Sequence, residues 1–188
     1  PGRAEIALVV DPAGASLVND EAEGADRFHR DLCHLLNHVG APFEAVSFDD
    51  LLEPGAVEKY KFLIFASVFE LDAERRRYYE QIANGGRTIL WLYAAGISDA
   101  IQMQIEPNPE LAGVPLRTLG LSRTEYGSHG TPYLRRPEEL TVPLLRQAVR
   151  DAGVHIWTEE AAAVFANARL AAFHTASGGE RRLTFPAE

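Results

Sequence analysis

"RTILWLYAAGIS", residues 87–98, decides how this chain is read. Ile89, Leu90, Trp91, Leu92 and Tyr93 form an unbroken apolar run, the pattern of a strand buried on both faces of a parallel sheet. Ala94, Ala95 and Gly96 follow at once. In an α/β enzyme a sharp strand-to-helix turn of small residues is where a nucleophile is raised above the sheet. The apex of this turn is Ala94. The turn is therefore either a catalytic elbow without its nucleophile or a plain connection.

Working outward, the preceding segments repeat the same grammar. "AEIALVVD" predicts a buried strand over Glu5 to Val10 that ends at Asp11. Phe28, Leu32, Leu35, Leu36 and Val39 recur at helical spacing, with Gly40 as the stop. "PFEAVSF" (42–48) is a second strand, and "DDLLEPGAVEKY" (49–60) is a connector with at most a helical turn, halted by Pro54-Gly55. "KFLIFASVF" (61–69) is a third, fully buried strand. Asp72 is placed to cap a helix over "AERRRYYEQIAN" (73–84), which Gly85-Gly86 ends. This alternation predicts an α/β fold in three layers, a parallel sheet with helices on both faces. Ligands of such sheets sit outside the carboxyl ends of the strands, an edge marked here by Asp11, Ser67 and the turn from Tyr93 to Ser98.

Beyond it the pattern breaks. From Ile101 to Arg136 four prolines interrupt the chain and Pro137 follows at once, only Leu111 to Leu121 has a helical look, and "EYGSHGTPYL" (125–134) holds a short strand at most. Order returns with a helix capped by Thr141, carrying Leu144, Leu145, Ala148, Val149 and Ala152 on one face and ending at Gly153. Residues 153–188 read as a β-rich extension, a small antiparallel meander of "VHIWT", "AVFANA", "RLAAFHT" and "RRLTFP", with a tight turn at "ASGGE".

The 188 residues suit a single domain, 1–188, with an ordinary globular composition. A net charge of -9 argues against nucleic acid and anionic membranes as partners, since both require basic surface. No apolar run is long enough to span a bilayer. A single cysteine excludes an internal disulfide. The start on Pro1 and the end just after a strand-like run suggest a piece of a longer protein.

The candidates for chemistry are few. Cys33 lies among helical apolar positions and is read as a packing residue. Ser67 ends the third strand but is followed by Val68-Phe69 rather than glycines, so it is read as a polar turn residue. His29, His34 and His38 share one predicted helix. His34 and His38 have metal-ligand spacing, yet Leu35 stands where a zinc-protease helix carries glutamate. His129, between glycines in "GSHGTP", is the loop histidine best placed to touch a ligand, whereas His155 and His174 fall in predicted strands. Asp49-Asp50, Glu138-Glu139 and Glu159-Glu160 are adjacent pairs and read as solvated charge, not as the spaced pair of a glycosidase. No G-x-G-x-x-G or P-loop pattern occurs, so no cofactor is expected, and no metal either. The "ERRRYY" run reads as an exposed face.

Taken in order, "IALVVD", "GAPFEAVSFDDLL", "YKFLIFASVFELDAERR", "NGGRTILWLYAAGI" and the stretch from Leu144 to Pro186 resemble the class I glutamine-amidotransferase-like, flavodoxin-like fold. The form they resemble is the divergent one found as a middle domain of β-galactosidase-like glycoside hydrolases. Active amidotransferases carry G-x-C-x-G after this strand. Aligned on Gly96, that pattern falls on Leu92, Tyr93, Ala94, Ala95 and Gly96, and His174 is followed by Thr175-Ala176 instead of the histidine-x-glutamate pair. Because the attacking species in that chemistry is a thiolate, the resemblance implies a vestigial elbow at Tyr93, Ala94, Ala95 and Gly96 and no catalytic residue in this chain. It also implies a bacterial cytoplasmic enzyme whose acid and nucleophile lie elsewhere. The partners it implies are other domains of the same polypeptide and further copies in a homo-oligomer.

Three functions follow as alternatives: a non-catalytic packing or assembly domain of such a hydrolase; a small-ligand binding module with a pocket near Asp11, Ser67, Tyr93 and His129; or an enzyme with a site of its own.

Overall fold

In the computed structural model, the residues described are 4–12, 30–66, 68, 72–75, 77–78, 85–92, 98–99, 104–105, 123–125, 132–134 and 140–186. The first strand, β1 (Ile6–Val10), is followed by helix α1 (Arg30–Leu36), β2 (Phe43–Ser47), the short helix α2 (Phe48–Leu51), β3 (Phe62–Phe65) and β4 (Thr88–Leu92). β1 pairs in parallel with both β2 and β3, and β3 in parallel with β4. The register sets Ile6 beside Phe43 and Phe62, and Phe65 beside Trp91.

Side-chain alternation along these strands builds two separate cores. Ile6 and Leu8 of β1, Phe62 and Ile64 of β3, and Leu90 and Leu92 of β4 pack on one face against Leu32 and Leu36 of α1. Leu145 and Val149 of the later helix α3 (Val142–Asp151) join them. The intervening residues Ala7, Val9, Leu63, Phe65 and Ile89 pack on the other face against Phe48 and Leu51 of α2, with Tyr60 and Val68. An apolar side chain at every position, rather than every second one, is what a strand covered on both faces requires. The three-layer α/β arrangement read from the sequence is the one observed.

The region of interrupted pattern contributes to the sheet. β8 (Pro132–Leu134) pairs in parallel with β4, and β7 (Arg123–Glu125) pairs antiparallel with β8, giving the order β2-β1-β3-β4-β8-β7. β5 (Ser98–Asp99) and β6 (Gln104–Ile105) form a separate antiparallel pair. The helical look at 111–121 lies outside the described residues.

The helix ends follow local chemistry. Thr141 Oγ1 accepts from Leu144 N at 3.3 Å at the start of α3, and Gly153 ends that helix at φ 70°. Asp72 Oδ1 accepts from Glu74 N and Arg75 N at 2.9 and 2.8 Å, as expected of a cap. Past α1, Gly40 takes φ 86°, and its carbonyl accepts from Trp157 N at 2.8 Å. The last carbonyls of that turn, His38 and Val39, are met by Arg146 of α3 at 2.8 and 3.0 Å.

In the C-terminal extension β9 (Ala163–Ala166) and β10 (Ala171–His174) form an antiparallel ribbon. The flanking "VHIWT" and "RRLTFP" are not strands, which corrects the placement of His155 in one. They meet through single bonds, Thr184 N to Trp157 O at 2.7 Å and His155 Nε2 with Thr184 O at 2.8 Å, instead of a ladder. Trp157 is their anchor, with Phe173 and Phe185 at ring-centroid separations of 6.2 and 5.6 Å.

Candidate functional site

The strand order places the change of winding direction between β1 and β3, because the chain runs from β1 outward to β2 and then returns to the far side. In doubly wound sheets that point, at the carboxyl edge, is where ligands bind. Asp11 follows the last residue of β1 there, and its side chain has no exposure.

Arg75 meets it. Its Nη1 lies 3.1 Å from Asp11 Oδ2 and its Nη2 lies 2.6 Å from Asp49 Oδ1, so one guanidinium bridges a buried carboxylate and one that is 61% exposed. The Phe48 ring lies under the same guanidinium, 5.1 Å from centroid to Cζ. Burial works against the Arg75 charge, but the bonds and fields of Asp49 and Asp11 outweigh it and hold its pKa above the ordinary arginine value. Close by, the Tyr78 hydroxyl donates to the Leu51 carbonyl, tying the helical turn at 77–78 to the end of α2. Chemically this is a clamp: it joins the end of β1, the start of α2 and the turn after Asp72 across the mouth of the sheet edge.

This corrects one expectation and adds to another. Arg75 belongs to the "ERRRYY" run read as an exposed face, yet it is only 9% exposed; Arg77 of the same run is exposed. Asp49, read as solvated charge, is indeed 61% exposed and also pairs with Arg75. The sequence carries half of the signal: a carboxylate at the end of a buried strand calls for a partner, but which cation of the "ERRRYY" run reaches it is decided by the fold.

Of the other expected site residues, Ser67, Tyr93, Ala94, Ala95, Gly96 and His129 lie outside the described residues, as does His29. His34 and His38 have ring centroids 4.8 Å apart, but His38 Nδ1 is engaged by the His34 carbonyl at 2.7 Å. Among the described residues no group of three or more His, Cys, Asp or Glu side chains is arranged to hold a metal, and no helix is long and apolar enough to cross a membrane. Cys33 is half-buried against the α1 side of the core, and desolvation raises its pKa. Glu159 and Glu160 each take an arginine, Arg150 at 2.6 Å and Arg181 at 3.0 Å.

No family model matches the sequence, and no curated protein matches it. Solved structures do resemble the fold. A beta-galactosidase from Bacillus circulans sp. alkalophilus superposes with a TM-score of 0.60 at 12% identity, over 87% of this chain and 34% of that one. A catalytic mutant of a GH42 beta-galactosidase from G. stearothermophilus gives 0.61 at 16% identity, over 86% of this chain and 32% of that one. This chain thus corresponds to about a third of the length of either enzyme. At these identities the likeness is one of fold.

Proposed function

We propose that this chain is a non-catalytic, amidotransferase-like α/β domain of a β-galactosidase-like glycoside hydrolase, serving domain packing or subunit assembly beside a catalytic domain. The observation that carries the reading is the superposition of 87% of this chain on one third of a β-galactosidase. The sequence supports it through Ala94, which stands where the resemblance puts a nucleophile. The clamp supports it too. Asp11, the buried carboxylate of the expected pocket, is engaged by Arg75 at 3.1 Å, a structural pairing of the kind a buried charge requires.

Two experiments test this. Reading the gene in both directions should reveal a large catalytic domain in the same frame; a frame ending at these 188 residues overturns the proposal. The purified chain should release neither ammonia from glutamine nor the aglycone from an aryl galactoside. Turnover that disappears on substituting a residue at the carboxyl edge of the sheet would show a catalytic domain instead.

A further inference from the structure

His34 lies in the last turn of α1 and His38 in the turn that follows, with ring centroids 4.8 Å apart and ring planes inclined at 68°. Two imidazoles that share one metal at about 2.0–2.1 Å, with about 90–110° between the bonds, hold their centroids roughly 4.5–5.2 Å apart. The observed spacing falls inside that range. Leu35 argues against the helix of a zinc protease, which needs a glutamate beside its first histidine. It is no obstacle to a site of two imidazoles.

Hydrogen bonding fixes the tautomer of one ring. The His34 carbonyl oxygen only accepts, so its 2.7 Å contact with His38 Nδ1 puts the proton on Nδ1. In the neutral ring the lone pair is then on Nε2. A backbone carbonyl holding the far N–H is the usual way in which a metal-ligating histidine is oriented. His34 is exposed and His38 half-buried, and among the described residues no group bonds to either ring nitrogen of His34. The neighbouring cations are already engaged: Arg30 with Asp31 at 3.5 Å, and Arg146 of α3 with the His38 and Val39 carbonyls. A net charge of -9 favours a cation over an anion at any open site.

We infer that His34 and His38 form a two-histidine site for a borderline divalent transition metal, with copper(II) held more tightly than nickel(II) or zinc(II). Among the described residues no third His, Cys, Asp or Glu joins the pair, so water completes the coordination and the metal exchanges freely. Bound there, it clasps the last turn of α1 to the turn that leads into Gly40. The site stands independently of the hydrolase reading.

Calorimetric titration of copper(II), nickel(II) and zinc(II) into the purified chain, freed of any affinity tag, is the test. A single copper ion binds with a dissociation constant below about 100 µM, and the other two metals bind more weakly. His34→Ala and His38→Ala each weaken copper binding more than about 10-fold, because a chelate cut to one imidazole loses the effective concentration of the second. His174→Ala binds as the wild type does. NMR makes the result independent of how the variants fold: sub-stoichiometric copper(II) broadens the His34 and His38 ring signals together, ahead of those of His155 and His174. Absence of binding up to about 100 µM copper overturns the inference. So does a loss below about 10-fold in either variant, or broadening that spares one ring of the pair. None of these results touches the placement in a glycoside hydrolase, which the flanking reading frame decides.

Discussion

Arg75 and Asp11, 64 positions apart in sequence, meet at 3.1 Å where β1 ends, and neither side chain is more than 11% exposed. The pair sits at the carboxyl end of β1, beside the change of winding at which sheets of this order bind ligands. Removing one member of a buried pair leaves charge in a poorly solvated place, which costs about 3–5 kcal/mol. Arg75→Ala should lower stability by that amount in urea titrations. Arg75→Lys should recover only part of it, because an ammonium lacks the fork that reaches Asp11 and Asp49 together. Asp49→Asn, on the exposed arm, should cost no more than about 1 kcal/mol.

Phe65 is fully buried and meets the Phe48 ring edge-to-face at 5.6 Å. Phe65→Ala empties the centre of the α2-side core, and a loss of about 3–5 kcal/mol is expected. Phe165→Ala, on the exposed ribbon, should change the denaturation midpoint of the monomer by less than about 0.5 kcal/mol. Equal losses in the two variants would contradict the assignment of faces.

Gly40 combines φ 86° with a backbone approach so close that a Cβ would overlap the Thr158 carbonyl oxygen. Gly40→Ala meets both the left-handed backbone and that clash, so a cost above about 2 kcal/mol is expected. Gly86→Ala, also at positive φ but with nothing within 4 Å of its Cβ, isolates the backbone part and should cost about 1 kcal/mol. Thermal melts of the two variants compare them directly.

Glu44 gives the acid limb of stability a defined sign. Burial pushes its pKa up, but Lys59 Nζ at 2.5 Å and the Tyr60 hydroxyl at 2.8 Å both donate to Oε2 and leave it below the ordinary glutamate value. A group with a depressed folded pKa stabilises fully above its unfolded pKa, about 4.3 for glutamate. That contribution is lost as pH falls through the folded value. Glu44→Gln should therefore lower stability by a constant amount above pH ~6, and the deficit should shrink as pH falls through the acid limb. Lys59 is half-exposed, so the effect is small and shrinks with added salt.

The parallel sheet is legible because β1, β3 and β4 are apolar at successive positions, and runs as short as Ile6 to Val9 or Phe62 to Phe65 between turn signals suit a buried strand better than a helix. Gly40, Asp72, Thr141 and Gly153 were legible as stops and caps for the same local reason: each meets a backbone demand within four residues. β7 and β8 were largely hidden. Three residues each, with Pro132 opening one, carry almost no periodicity, and their place is set by Trp91 and Leu92 far away in sequence. The clamp was hidden for a related reason. Nothing local distinguishes Arg75 from its exposed neighbour Arg77, and only the fold brings Asp11 to it.

The seam at Gly40 gives the molecule a load path. Gly40 holds the strand-free stretch before the ribbon through Trp157, and Arg146 grips the carbonyls of the two preceding residues, His38 and Val39. Force applied to the ribbon would be shared between Trp157, which leads into the turn after α1, and the bonds of Gly153 and His155 to Lys61 and Glu5. Both helices lie on one side of the sheet. The Arg75 clamp lies with Phe48 and Asp49 of α2, on the other side. The C-terminal extension is thus moored on the α1–α3 side of the sheet, through Gly40 and Trp157 and through His155 N to Glu5 Oε2 at 3.4 Å.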